Sequence, residues 1–374
     1  MSSPAHSNRP TSSCDAIVVG AGQSGLAAAH ALRRAGLAPV VLEAGPEPGG
    51  SWPHYYDSLT LFSPARYDSL PGLPFPGDPD RYPHRDEVAD YLRRYAARLD
   101  ADIRTHHRVD TISTGAGGYL VHTGDRILTT PLVIAATGGF GNPHRPALPG
   151  LDAFTGEVVH VSDYRAPEQF AAQHVVIVGA GNSAAQVGVE LARHARVTLA
   201  TRAPVKYAPQ IILGRDMHWW STTLGFDHLP IGPYLRATPS VPVVDDGTYR
   251  AAIDGGRPAR MPLFTDIDGT RITWPDGRTE QVDTVLLATG YRPDLPYLTD
   301  LGALDEHGRP LQIRGLSTSH PGLGYVGLEW QRSLASATLR GVGRDATYVV
   351  TRLLRNRTAL PAPRCCERQS AGAA

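Results

Sequence analysis

The stretch Asp15-Ala-Ile-Val-Val-Gly20-Ala-Gly22-Gln-Ser-Gly25 decides how the rest of the 374-residue chain is read. A short apolar run ends in glycine, good helix formers follow from Ala27 to Ala35, and a second apolar run, Pro39-Val-Val-Leu-Glu43, closes the unit. That order spells strand, glycine-rich turn, helix, strand. The three glycines permit the tight turn, the approach of backbone to a pyrophosphate, and close helix packing, while the helix N-terminus turns its free amides to the phosphates. Gln23 and Ser24 lie inside the same turn. Glu43 stands 23 residues after Gly20 at the end of the second strand, placed to accept ribose hydroxyls.

The pattern occurs again. His174-Val-Val-Ile-Val-Gly179-Ala-Gly181-Asn182-Ser183-Ala184 leads into a predicted helix to His194 and a strand from Arg196 to Arg202, with Ala184 as the third small residue. Arg202 lies 23 residues after Gly179, so a cation stands where the first unit has an anion. A guanidinium there can pair the phosphate on an adenosine ribose, and the second site is expected to prefer NADPH to NADH. Two strand ends reading Ala-Thr-Gly, at Gly138 and Gly290, flank the second unit, which therefore reads as an insertion into the first. The expected fold is α/β with two Rossmann-like dinucleotide-binding domains. The first covers 14–165 and 282–356 and the second 166–281, with 1–13 and 357–374 read as disordered from their Ser, Pro, Arg and Ala content.

Composition narrows the partners. The 36 basic residues balance 36 acidic ones, so no excess field draws nucleic acid or an anionic membrane, and the expected partner is a small molecule. Cys14, Cys365 and Cys366 form no CxxC pair, disulfide framework or zinc cluster, and no metal is expected; this fits a reducing cytoplasm. No uninterrupted apolar run of 18 residues suggests a membrane span. Asp266-Ile-Asp268-Gly-Thr270 has the lettering of a phosphatase motif, but Met261-Pro-Leu-Phe-Thr265 before it contains proline and Asp268-Gly269 reads as a hairpin turn.

Between and beyond the two units stand Phe154-Thr-Gly156-Glu-Val-Val-His160-Val-Ser-Asp-Tyr164-Arg165, Gly49-Gly50-Ser51-Trp52 and Ala288-Thr289-Gly290-Tyr291. Together they resemble the FxGxxxHxxx(Y/F), GGxW and ATGY segments of the flavin-containing monooxygenases, over about residues 14 to 350. Leu61-Phe62-Ser63-Pro64-Ala-Arg-Tyr67 and Gly327-Leu-Glu-Trp-Gln331 are similar to those of short bacterial members labelled as potassium-transport flavoproteins. The resemblance implies FAD in the first site, held by Gly20, Gly22, Gln23, Ser24, Gly25, Glu43, Gly50, Ser51, Trp52, Val109, Thr137, Gly138 and Gly327. It implies NADPH in the second, at Gly179, Gly181, Asn182, Ser183, Ala184, Arg202 and Thr289, with Trp52, Phe62, Ser63 and Gln331 as candidate substrate-pocket residues. The implied reaction takes O2 through a 4a-hydroperoxyflavin and inserts one oxygen atom into a small nitrogen or sulfur nucleophile. No acid–base residue is required, because the cofactors carry the bond-breaking.

Three alternatives stay open: an NADPH-dependent flavin reductase or oxidase releasing peroxide, Baeyer-Villiger oxygenation of a ketone, and a non-catalytic NADP-sensing flavoprotein. The Baeyer-Villiger branch has Trp-Pro where this chain has Tyr164-Arg165, and Leu61 to Pro64 lacks the asparagine of many amine-oxidising members. The oligomeric state is left open, with a homodimer as one option.

Overall fold

The computed structural model describes residues 11–235, 239 and 241–358. The disorder expected of residues 1–10 and 359–374 concerns positions outside that range, whereas positions 357 and 358, also expected to be disordered, instead end a helix. Thr11–Ser13, also expected to be disordered, instead forms a short strand paired in parallel with Ile127 to Thr129. Three polar residues carry no hydrophobic signal, and this strand is defined by backbone pairing alone.

The first unit folds as β1 (Ala16–Val19), α1 (Gln23–Arg34) and β2 (Pro39–Leu42). Helix α2 (Arg85–Arg98) leads to β3 (Asp102–Arg104), its N-terminus closed by a capping box between His84 and Glu87. An antiparallel meander follows, β4 (Thr111–Gly115), β5 (Gly118–Thr123) and β6 (Arg126–Thr130), then β7 (Val133–Ala135). After β8 (Glu157–His160), the second unit is β9 (His174–Val178), α3 (Asn182–Leu191) and β10 (Arg196–Thr201). The chain ends through β11 (Ala259–Pro262), β12 (Thr284–Leu287), β13 (Leu323–Tyr325) and α4 (Leu339–Thr358).

The first sheet runs in the order β13-β7-β1-β2-β3, all parallel, and is extended past β13 by the short pieces Gln312–Ile313 and Leu316–Ser317. The second runs β11-β10-β9-β12-β8, also parallel throughout. The inner strands β1, β2, β7, β9 and β12 are almost wholly apolar because both faces of each sheet are covered there, whereas the edge strands β3 and β11 carry charged residues. α1, α2 and α4 bury Leu26, Leu92 and Val349 on one face of the first sheet, and the meander covers the other with Ile112 and Val121. α3 covers one face of the second sheet, and an antiparallel sheet of Asp266–Asp268, Arg271–Thr273 and Thr279–Gln281 packs Trp274 and Ile272 on the other. The turn at Asp268 and Gly269 is therefore a hairpin.

One assignment changes. β8 and β12, which the sequence places with the first domain, pair with each other and with β9 in the second sheet. The two Ala-Thr-Gly strand ends thus belong to different sheets: that of β7 stands beside β1 and that of β12 beside β9. Each switch in strand order opens a crevice at the carboxyl ends of the strands, where α/β sheets take their ligands.

Candidate active site

At the first crevice, Gly20 adopts φ +98°, and a Cβ there would lie 2.8 Å from the Ala136 carbonyl oxygen. A Cβ on Gly25 would lie 1.8 Å from the Gly20 carbonyl oxygen, so this glycine lets α1 sit on the turn. Gly22 is different. A Cβ there meets nothing closer than the Gly50 Cα at 3.5 Å, so protein packing does not demand glycine; the unused volume lies before the N-terminus of α1. That N-terminus has no side-chain cap and no acidic residue in its first turn, leaving its amides for an anion. Gly50, at φ +61°, folds onto Gly22 from the facing loop, and its own Cβ would fall 2.8 Å from the Gly22 Cα. The Glu43 carboxylate accepts from the amides of Ala21 at 2.6 Å and Gly45 at 2.8 Å, which tie the end of β2 to the turn. These residues fit the diphosphate and ribose of a dinucleotide.

The second crevice repeats the construction. Gly179 adopts φ +151° with the Ala288 carbonyl oxygen 2.4 Å from its absent Cβ, and a Cβ on Gly181 would meet nothing within 4 Å. The N-terminus of α3 is likewise uncapped by any side chain and free of acidic residues. Ala184 is buried on the sheet side, while Ser183 stays partly accessible. Asn182 turns inward: its Oδ1 accepts from Val244 N at 3.0 Å, so its side chain fastens the segment at Pro242 to Val244. Thr289 donates its hydroxyl to the His144 carbonyl. Arg202, one residue past β10, is exposed and has no carboxylate partner among the described residues.

The connection through Phe154 and Tyr164 has clear steric reasons. A Cβ on Gly156 would lie 2.5 Å from both the Asp283 carbonyl oxygen and the Phe154 ring. His160 is fully buried; its Nδ1 accepts from Ser162 N at 3.1 Å, so the proton resides on Nε2 and is donated to the Gly290 carbonyl at 3.1 Å. Burial holds its pKa below the ordinary value, and the ring serves as a neutral clamp between β8 and the end of β12. Tyr164 donates to Glu190 of α3 at 2.8 Å and stacks with Phe170.

Trp52, Tyr291 and His160, each part of a segment singled out in the sequence, are joined by a chain of rings through Tyr55 and Phe140, which sequence reading missed. Trp52 meets Tyr55 at 5.6 Å, Tyr55 meets Phe140 edge-on at 4.9 Å, Phe140 stacks on Tyr291 at 5.5 Å, and Tyr291 meets His160 at 5.2 Å. Glu329, two residues after Gly327, reaches solvent yet stands among enclosing protein, and that partial dehydration raises its carboxyl pKa; burial raises the Tyr55 phenol as well. The rings come from four separate segments, so no local spacing could announce them.

Other predicted residues are placed as follows. Gln23 accepts from Trp52 Nε1 at 2.9 Å and donates to the Ala337 carbonyl at 2.7 Å, bracing the helix start; Ser51 begins the turn carrying Trp52. Gly327, at φ +95°, backs onto Ser24, whose Oγ would be 2.0 Å from a Cβ there. Thr137 donates to the Asp294 carbonyl, Gly138 accepts from the Asp294 amide, and Val109 is buried against the meander. Phe62 stacks on His218, itself held by Asp216 at 2.8 Å. Ser63 is buried and donates to Asp68 at 2.6 Å, and burial raises the Asp68 pKa to about 7. Gln331 is buried as well, donating to the Tyr325 carbonyl at 2.8 Å and accepting from Leu328 N, so it shapes the Gly327 loop from behind.

Residues 17–212 match the pyridine nucleotide-disulphide oxidoreductase family. The chain is 34% identical over 345 residues to an oxidoreductase of Geobacillus kaustophilus described as CzcO-like, covering 91% of this chain and 98% of that one. It is 32% identical over 336 residues to the indole-3-pyruvate monooxygenase YUCCA1 of Oryza sativa, covering 80% and 82%. Among solved structures, a flavin-containing monooxygenase from Stenotrophomonas maltophilia superposes with a TM-score of 0.80 at 32% identity, over 92% of this chain and 99% of that one.

Proposed function

The chain belongs to the pyridine nucleotide-disulphide oxidoreductase family and, within it, to the flavin-containing monooxygenases with CzcO-like relatives, and from that premise we propose an NADPH-selective monooxygenase that oxygenates a small nitrogen- or sulfur-containing nucleophile. It is a flavin-dependent oxidoreductase using FAD and NAD(P)H, with a small molecule and O2 as its other reactants. Bound flavin supplies the chemistry that amino acids lack, passing electrons from nicotinamide to oxygen and delivering one oxygen atom to the substrate.

The observation that carries this reading is the pair of uncapped helix N-termini, one served by Glu43 and the other by the unpartnered Arg202. Gly20, Gly22, Gly25, Glu43 and the Gly50 turn hold FAD, while Gly179, Gly181, Ser183 and Arg202 hold the second nucleotide. Trp52, Tyr55, Phe140 and Tyr291 wall the space between them and exclude water, which keeps activated oxygen from wasteful release as peroxide. Asn182, Thr289 and Gln331 act at one remove, by fixing the loops around these contacts. The division into an FAD domain and an NADPH domain, with β8 and β12 assigned to the latter, belongs to the same proposal.

A carbonyl substrate is the second reading, favoured by the 32% identity to an enzyme named for indole-3-pyruvate. Purified FAD-loaded protein is to be supplied with NADPH, oxygen and a panel of thioethers, amines, ketones and 2-oxo acids. Products heavier by one oxygen from the thioethers or amines support the proposal, and oxygenation of carbonyl compounds alone replaces it with the second reading. Stoichiometric peroxide without any oxygenated product returns the protein to the oxidase class.

A further inference from the structure

Far from both crevices in sequence, α4 presents Arg344, Tyr348, Arg352 and Arg355 along one face, spaced as neighbours over successive turns. They line a cavity of about 380 Å³ together with His228 and Arg332. The Arg332 guanidinium lies 4.0 Å from the centre of the Tyr348 ring and that of Arg352 lies 5.5 Å away. Against these cations the lining holds one carboxylate, Asp345, buried and bonded to Arg332 at 2.9 Å. Arg344 and Arg352 are exposed and have no carboxylate partner among the described residues.

The like charges on this face repel, a cost that a bound anion would remove. Their field is visible in His228, whose pKa is lowered first by burial and next by Arg344, with Arg340 adding and Asp227 and Asp345 opposing. Thr347 and Thr351 also border the cavity, but their hydroxyls donate to the carbonyls of Gly343 and Thr347. Recognition therefore falls to guanidinium forks, whose planar pairs of N–H groups match carboxylate and phosphate oxygens. The volume exceeds what a single phosphate fills, and lies within the range of small-molecule pockets.

We propose that this cavity is a second ligand site, separate from the two dinucleotide crevices, which takes a small molecule bearing two or more oxyanion groups through Arg344, Arg352 and the paired Arg332. The site does not depend on the reaction proposed above. The Arg332 backbone is fixed in place: its N donates to Ser336 Oγ at 3.0 Å, and its carbonyl oxygen accepts from Gly232 N at 2.9 Å.

The test uses full-length protein saturated with FAD and NADP⁺, so that the helix N-termini of α1 and α3 do not compete for the probe. Inorganic pyrophosphate and malonate are titrated separately by calorimetry at constant ionic strength, with wild type, Arg344→Gln and the double variant Arg344→Gln/Arg352→Gln. Both positions are exposed, and far-ultraviolet circular dichroism checks that the variants remain folded. Saturable binding that weakens more than about tenfold in the double variant supports the site. Pyrophosphate alone indicates a phosphate ligand, malonate alone a dicarboxylate. In the same samples the His228 imidazole pKa, followed by NMR, should rise when the probe binds, because an anion favours imidazolium. No saturable binding, equal binding by the double variant, or an unmoved His228 pKa would overturn the proposal.

Discussion

Gly22 and Gly25 stand three positions apart in one motif, and the structure assigns them different tasks that two alanine substitutions can separate. In Gly25→Ala the new Cβ arrives 1.8 Å from the Gly20 carbonyl oxygen and 2.9 Å from its carbon, both backbone atoms of the turn. Relief requires lifting α1 by more than about 1 Å from a surface on which Leu26, Ala28 and Leu32 are fully buried. Such overpacking belongs at the upper end of the usual penalty, about 3 kcal/mol. At roughly 2–4 °C per kcal/mol, the unfolding temperature of the apoprotein should fall by about 6–12 °C. In Gly22→Ala the nearest atom is the Gly50 Cα at 3.5 Å, an ordinary contact, and the backbone at φ −76°, ψ −173° is open to any residue. Only the preference for glycine over alanine at a helix N-cap is lost, at most about 1 kcal/mol. The apoprotein should melt within a few degrees of wild type, yet its Cβ occupies the volume before the helix amides, so flavin absorbance after incubation with FAD and gel filtration should drop sharply. Thermal melts of apoprotein and the 450 nm region of the reconstituted protein check both statements. Wild-type flavin retention in Gly22→Ala, or a wild-type melt in Gly25→Ala, would refute the division of roles.

In Arg202→Ala, loss of a charge-assisted contact to the ribose phosphate should cost about 1.5–2 kcal/mol of NADPH binding, the lower part of the usual range because Arg202 is exposed. NADH binding and the melting temperature should hardly move, and equal weakening for both nucleotides in fluorescence titrations would make Arg202 structural. Asp68, its pKa raised by burial from 3.8 to about 7, binds its proton more tightly when folded, so its contribution favours folding below the unfolded value and turns into a penalty as pH rises to about 7. Asp68→Asn keeps an acceptor for Ser63 and should raise stability at pH 8 but not at pH 4, reducing the pH dependence of urea midpoints between them; an unchanged profile would show that the carboxyl titrates normally. Gly156→Ala, with a Cβ 2.5 Å from the Asp283 carbonyl and the Phe154 ring, should lower the melting temperature by several degrees, and a neutral result would remove the steric account of the Phe154 to Gly156 segment.

What the sequence made legible was local. The turn at Gly20 and the turn at Gly179 could be read because glycine, helix formers and a charged strand end recur at one spacing, and each such unit is complete within about 30 residues. Hairpins at Asp268 and Asp276 were legible for the same reason. Placing β12 was not: its four apolar residues suit either sheet, and its partners β8 and β9 lie more than a hundred residues earlier in the chain. Parallel pairing across such a distance is decided by which faces are already covered. The same holds for side chains. Asn182 and Gln331 look like ligand contacts because they sit in the right turns, yet both have their amides engaged by nearby backbone and fix the loops from within. Trp52 and Tyr291 sit in recognisable segments, but no motif announces that Tyr55 and Phe140 join them, since three separate connections bring the four rings together. A family fingerprint therefore preserves the backbone geometry that cofactors require, whereas the walls that select a substrate arise where distant segments converge, and it is those walls that the product screen interrogates.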